Sequence, residues 1–219
     1  MKLTANVIGA TGLVGKQLVN QLLEEGHFET VRIFVRRDSG ISHPKLTQEI
    51  VDYTDEKSWK ELLRGDVLFS ALGTTLKQAG SKEKQYEVDF TFNLNFAKAA
   101  KENGIKNYVL VSSVGADSGS KMFYPRIKGE LDEAVSGLGF SNIAIVRPAS
   151  LTGDRKERRL MEEISIPVLN FITKFGLKKY RPIHAKTVAR AMINAVLRPN
   201  ENKTIWEGTE VFELAEKNG

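Results

Sequence analysis

A chain of 219 residues, 41% hydrophobic and 27% charged, suits one α/β domain of ordinary soluble composition with a proper buried core. The absence of cysteine excludes disulfides, thiolate metal ligands and a thiol nucleophile, and no apolar run approaches the roughly 20 residues of a membrane span. The net charge of +5 is dispersed in clusters at Arg36-Arg37, Arg155 to Arg159 and Lys174 to Arg181, with no aromatic residues interleaved. No nucleic-acid partner is therefore expected, and a pocket for a phosphate-bearing cofactor explains the same bias. A cytoplasmic protein without membrane association is the default expectation.

Leu3 to Ile8 reads as a short buried strand. Leu13, Val14, Leu18, Val19, Leu22 and Leu23 then recur at helical spacing up to Gly26. Between them lies Gly9-Ala10-Thr11-Gly12-Leu13-Val14-Gly15, a G-x-x-G-x-x-G turn. Missing β-carbons allow a tight reversal there and let a pyrophosphate approach the backbone, while the helix N-terminus offers unpaired N–H groups and a positive dipole end. This is a spacing variant of the dinucleotide fingerprint, so Gly9, Thr11, Gly12, Leu13, Val14 and Gly15 are candidate cofactor ligands.

Val31 to Val35 is a second strand and ends in Arg36-Arg37. An NAD-specific site places a carboxylate here for the ribose 2′-hydroxyl, whereas arginine accommodates a 2′-phosphate; NADP(H) is expected rather than NAD(H). Leu46 to Val51 forms a third strand closing on Asp52-Tyr53, where Asp52 either bonds an adenine amino group or caps the next segment. Trp59, Leu62 and Leu63 mark a helix. Asp66 to Ala71 is a fourth, near-continuously apolar strand, as expected where helices cover both faces. It runs into Leu72-Gly73-Thr74, at the carboxyl edge where ligands bind in such sheets.

Ser81 to Asn103 is mostly one long helix with Val88, Phe92, Phe96 and Ala99 on its core stripe. Tyr108 to Val111 forms a fifth strand delivering Ser112-Ser113 to the same edge, and a helix begins near Tyr124-Pro125 and continues to Val135. Asn142 to Val146 is a sixth strand, followed by Arg147-Pro148. Beyond Gly153 come a charged stretch from Arg155 to Glu163, an apolar one from Ile166 to Phe175, and an amphipathic helix from Ala185 to Leu197. A short strand at Lys203 to Trp206 and a final helix capped by Thr209 follow. The alternation implies a Rossmann-type, doubly wound parallel sheet over residues 1–152. Residues 153–219 then form a small cap on the substrate side, not an independent domain.

Tyr124-x-x-x-Lys128 places phenol and ammonium one helical turn apart. A tyrosine titrates near pH 10 in water, and a neighbouring ammonium lowers that value by stabilising the phenolate. Ser113 then holds a substrate oxygen while Tyr124 moves the proton and a nicotinamide exchanges hydride. The histidines His27, His43 and His184 lack metal-ligand spacing, and neither a G-x-S-x-G elbow nor a Walker loop occurs; no metal site is expected.

Taken together, the glycine loop, Ser112-Ser113 and Tyr124-x-x-x-Lys128 resemble the short-chain dehydrogenase/reductase superfamily in its atypical, NAD(P)H-binding branch. Leu72-Gly73-Thr74-Thr75, Ser112-Ser113-x-Gly115-Ala116-Asp117, Lys128-Gly129-Glu130 and Arg147-Pro148 are similar, in that order, to segments of Tat-interacting-protein-like oxidoreductases. The similarity spans about residues 5 to 155. The resemblance implies Ser113 (over Ser112), Tyr124 and Lys128 as catalytic residues, Lys128 also on the nicotinamide ribose, and Pro148 beside the cofactor. It implies a small carbonyl or alcohol substrate and a monomer or homodimer. The superfamily adds an asparagine on the fourth helix, where Asp89, Asn93 and Asn95 stand here. The resemblance also leaves two alternatives: a non-catalytic NADPH-binding regulator acting through a protein partner, and an epimerase-like enzyme using bound nucleotide on a sugar derivative.

Overall fold

A computed structural model describes residues 2–153, 178–199 and 203–216. The charged stretch 155–163 and the apolar stretch 166–175 lie outside the described residues. Strands β1 (Leu3–Ile8), β2 (Phe28–Val35), β3 (Leu46–Ile50), β4 (Val67–Ser70), β5 (Asn107–Val111) and β6 (Asn142–Arg147) run parallel. With a late strand they form a seven-stranded sheet that begins β3-β2-β1-β4-β5-β6. The chain therefore winds outward from β1 in one direction, then returns to β4 and winds outward in the other. The crevice between the carboxyl ends of β1 and β4 is the switch point at which α/β sheets bind ligands.

Burial on both faces explains the apolar strands. β4 is buried at every position. On one face α1 (Leu13–Glu24) and α6 (Ala185–Leu197) pack together, with Leu18, Leu22, Val188 and Met192 meeting Val7, Ile33 and Phe69 of the sheet. Gln21 donates to the Lys186 carbonyl at 2.9 Å, and Arg190 pairs with Glu25 at 3.0 Å, fixing the two helices in register. On the other face Trp59, Phe96, Leu131 and Val135 cover Ile8, Phe34, Leu68 and Leu110.

Around Trp59 two short 3₁₀ turns, Glu56–Ser58 and Lys60–Leu62, replace the expected helix. Asp55 caps the first by accepting the Lys57 N–H, and Trp59 at φ −136° breaks the run while keeping its indole stacked on Phe96 at 3.8 Å between centroids.

The long helix after β4 is preceded by a short one, α2 (Leu76–Ala79), and is itself interrupted. It comprises α3 (Lys82–Tyr86), a π-helical segment (Glu87–Phe92) and α4 (Asn93–Glu102). The Asn93 amide donates to the carbonyls of Val88 (2.9 Å) and Asp89 (3.3 Å), satisfying acceptors that the widened turn frees. Asn93 also donates to Leu72 O and accepts from Ser70 Oγ, so the π segment is tied to the exit of β4.

The described segments of the tail extend the sheet. Leu151–Thr152 (β7) pairs with Ile183–His184 (β8), while β9 (Ile205–Glu207) adds the seventh strand beside β6. The last helix, α7 (Glu210–Glu216), is held by Asn194, whose amide donates to Leu214 O at 2.9 Å. These segments complete the sheet and one of its helical layers. A strand of three residues finds its place only through long-range pairing, which local pattern does not encode.

Trp59 is fully buried and stacked, so Trp59→Ala should lower unfolding free energy by about 3–5 kcal/mol in urea titrations.

Candidate active site

The turn after β1 is built for close approach. Gly9 has φ +76°, and a β-carbon there would lie 2.3 Å from the Ala71 carbonyl oxygen; one on Gly15 would lie 2.0 Å from Gly9 O. Gly12 caps α1 with no side-chain hydrogen bond, and the first intrahelical bond runs from Lys16 N–H to Gly12 O at 2.9 Å. The amides of Leu13, Val14 and Gly15 precede that bond and face the helix mouth with its positive dipole end. Thr11 and Gly12 are exposed, whereas Val14 and Gly15 are buried. A cradle of main-chain donors with no side chain in the way fits a pyrophosphate.

Arg36 and Arg37 are exposed at the end of β2, and neither forms an ion pair with a described residue. Asp38 is turned into its own loop, where it accepts from Gly40 N–H (3.0 Å) and Gln48 Nε2 (2.8 Å); these bonds hold its carboxyl below the usual range. Asp52 accepts from the Thr54 N–H and hydroxyl at 2.9 and 2.8 Å, the capping arrangement. Tyr53 is 6% exposed, and its hydroxyl donates to Phe34 O at 2.6 Å. Desolvation pushes this phenol up to about 12, and the ring packs on Phe92 and Phe96, making Tyr53 a core residue that props the strand end. Leu72, Gly73 and Thr74 follow β4 on the other side of the switch point. Pro148 is buried after β6 and accepts from Val114 N–H at 3.0 Å, anchoring the loop after β5.

That loop brings Ser113 beside Tyr124 of α5 (Phe123–Ser136), where the Lys128 ammonium and the serine hydroxyl both favour the ionised phenol; the Ser113 hydroxyl itself faces the Val114 carbonyl at 3.4 Å. Ser112 instead turns inward and donates to Asp132 Oδ2 at 2.9 Å, where Arg147 Nε also donates at 2.8 Å. Lys128 is 3% exposed, and its ammonium lies 3.6 Å from Asp89 Oδ1. Desolvation disfavours charge on Lys128, but Tyr124, Asp89 and Asp132 outweigh it and the pKa rises. Loss of hydration raises the Tyr124 phenol, although 42% of the residue's surface remains exposed. Lys128 and Ser113 act in the opposite sense and Asp89 reinforces the rise. Sequence reasoning credited the lysine alone and expected a lowered value; dehydration reverses the net direction.

Of the three polar candidates on the helix after β4, Asp89 meets Lys128, Asn93 braces the π segment, and Asn95 lies on α4 among partly exposed residues. Four contributors were given no role from the sequence, although Arg147 and Gly129 stand in segments quoted for the resemblance. Asp132 and Arg147 form a buried pair behind Ser112, and Glu207 accepts Gly115 N–H at 2.9 Å. Gly129 lets the loop lie against α5, since a β-carbon would come 2.2 Å from Ser118 N. Only Asp132, one turn beyond Lys128, carried a signal in its spacing.

A family described as NAD(P)H-binding matches residues 9–199 of this sequence. The chain belongs to the NAD(P)H-binding family. Its relatives include "Protein fmp52-1, mitochondrial" of Aspergillus oryzae, 35% identical over 216 residues and 91% of each chain. "Protein fmp52, mitochondrial" of Aspergillus fumigatus is 38% identical, over 92% of this chain and 94% of that one. UDP-glucose 4-epimerase of Thermotoga maritima, solved with UDP-glucose, superposes with TM-score 0.71 at 14% identity, covering 98% of this chain and 82% of that one. A short-chain dehydrogenase/reductase superfamily protein of Agrobacterium tumefaciens with bound NAD gives TM-score 0.71 at 15% identity, covering 94% and 77%. These structures share the Rossmann-type fold, and the NAD(P)H-binding family makes the cofactor class a nicotinamide dinucleotide. The cytoplasmic expectation is corrected by the relatives, which are named as mitochondrial. Composition carried no information on this point, because lack of cysteine and of an apolar span is common to proteins of both compartments. Among the described residues no helix is long and apolar enough to cross a membrane, and no cluster of metal-ligating side chains occurs.

Gly9→Ala combines a positive φ with the 2.3 Å clash at Ala71, so nicotinamide nucleotide affinity measured by calorimetry should fall at least about tenfold, or about 1.4 kcal/mol.

Proposed function

We propose that this protein is an NADP(H)-dependent oxidoreductase that interconverts a small carbonyl compound and its alcohol. The convergence of Ser113, Tyr124 and Lys128 at the sheet edge beside the glycine cradle carries this reading.

When bound, the nicotinamide supplies or accepts the hydride. Ser113 donates a hydrogen bond to the substrate oxygen and fixes its place beside Tyr124. In the reducing direction Tyr124 gives its phenolic proton to that oxygen as charge develops on it. The Lys128 ammonium stabilises the phenolate left behind, and its buried position also suits a contact with the nicotinamide ribose. Because the Tyr124 phenol is held above its ordinary value, it is protonated throughout the neutral range. Carbonyl reduction should therefore keep its rate through neutral pH and decline on the alkaline side. Alcohol oxidation, which needs the phenolate, should rise with pH. Tyr124→Phe should lower turnover by about 10²–10⁴-fold on a carbonyl found by screening while NADPH binding persists. Full turnover in that variant would end the acid/base assignment.

The preference for NADP(H) rests on Arg36 and Arg37, both exposed and without ion-pair partners among the described residues, and on the local engagement of Asp38. Replacing both arginines with alanine should weaken NADPH at least about tenfold in thermal-shift or calorimetric titrations, since each charge-assisted bond is worth about 1.5–3 kcal/mol. NADH affinity should barely change.

A further inference from the structure

We infer that Asp89 is a positioning residue that shares the Lys128 ammonium with Tyr124, so that a carboxylate fastened to the loop after β4 sets the charge the tyrosine feels. The catalytic meaning of this arrangement rests on the function proposed above; the arrangement itself does not.

Asp89 lies on the π segment and is 1% exposed. Its two oxygens face different elements. Oδ1 lies 3.6 Å from Lys128 Nζ on α5, and Oδ2 accepts the Thr74 N–H at 3.0 Å. One buried carboxylate thus joins the lysine to a candidate cofactor loop. The other carboxylate near Lys128 is already matched, because Asp132 holds Arg147 at 2.8 Å and accepts from Ser112. Farther along α5, Arg126 and Glu130 pair with each other at 3.6 Å, and on α3 burial and the nearby Glu130 together raise the Tyr86 phenol. Lys128 is therefore the counter-ion of Asp89 and also the cation beside the phenol.

An isolated buried ammonium would pull the neighbouring phenol strongly toward phenolate. An ammonium already neutralised by a carboxylate pulls less, and the carboxylate adds its own repulsion. Both effects keep Tyr124 protonated, the form that donates in carbonyl reduction. The upward direction found for Tyr124, with Asp89 among its causes, agrees. A neutral amide at position 89 would still accept from Thr74 but would leave Lys128 without its counter-charge.

The test is an ultraviolet titration of tyrosine ionisation in the nucleotide-free full-length protein, Asp89→Asn and Tyr124→Phe. The last variant identifies the Tyr124 transition among the five tyrosines. Asp89→Asn should lower the midpoint of that transition by at least about one pH unit. An unchanged or higher midpoint in the folded variant overturns the inference and leaves Asp89 a purely structural residue. If Asp89→Asn does not fold, carbon-detected NMR of the wild-type protein decides. Asp89 Cγ should report a carboxylate at neutral pH and respond as Tyr124 titrates; a protonated Asp89, or a Cγ silent through that transition, overturns it. Because no nucleotide is added, failure to bind NADPH would sink the functional reading without touching this result. An immobile Tyr124 midpoint in a protein that binds NADPH would sink only the role of Asp89.

Discussion

The contact between the turn at Gly9 and the carbonyl of Ala71 organises the molecule. A β-carbon at residue 9 would stand 2.3 Å from that oxygen, so β1 and β4 leave the sheet side by side only because residue 9 has none. Their adjacency makes the switch point, and the switch point aligns the glycine cradle with the loop Leu72-Gly73-Thr74. The same economy appears at Gly15, where α1 presses so closely on the turn that its first amides open toward the crevice. No side chain caps that helix end. A helix mouth with unmatched donors beside water is a modest cost that a bound anion removes.

A second constraint acts below the surface. Four charged groups, Asp89, Lys128, Asp132 and Arg147, are gathered between α5, the π segment and β6, where hydration is lost. Buried charges are tolerated when paired, and here two cations meet two carboxylates. The pairs are unequal. Arg147 and Asp132 approach to 2.8 Å, with Ser112 adding a further bond, and this pair serves as scaffold. Lys128 and Asp89 stand 3.6 Å apart, a looser pair beside the phenol. A tight pair holds the framework, and the looser one leaves its ammonium able to act on a neighbour.

The strands and the glycine turn were legible because their signals are local: continuous apolar runs for elements buried on both faces, and glycine where a β-carbon would collide. Tyr124 and Lys128 were legible for the same reason, being one turn apart on one helix. What escaped depends on chain segments meeting from afar. Asp132 looks like any helical carboxylate until β5 and β6 bring Ser112 and Arg147 to it. Tyr53, next to Asp52, is fixed at the strand end by the Phe34 carbonyl, a partner that sequence spacing does not reveal. The π segment is equally invisible in the periodicity. It exists because the Asn93 side chain bonds back to Val88 and Asp89, a choice that an amphipathic stripe does not record.

The tail shows how a site can depend on residues that never approach the chemistry. The loop carrying Ser112 and Ser113 is held from two sides. Toward α5 it rests on Gly129, where any side chain would strike Ser118. Toward β9, Glu207 accepts the Gly115 N–H while pairing with Lys179 at 3.0 Å, and Gly208 N–H donates to Arg147 O at 3.1 Å. Desolvation alone would raise the Glu207 carboxyl, yet the Gly115 bond and Lys179 hold it below its ordinary value, so it stays an ionised acceptor at neutral pH. The seventh strand thus fixes the backbone on both flanks of the serine loop and the strand that supplies Arg147. A chain ending after β6 would retain Ser113, Tyr124 and Lys128, but it would lack the edge that keeps the serine loop in register with the helix bearing the other two.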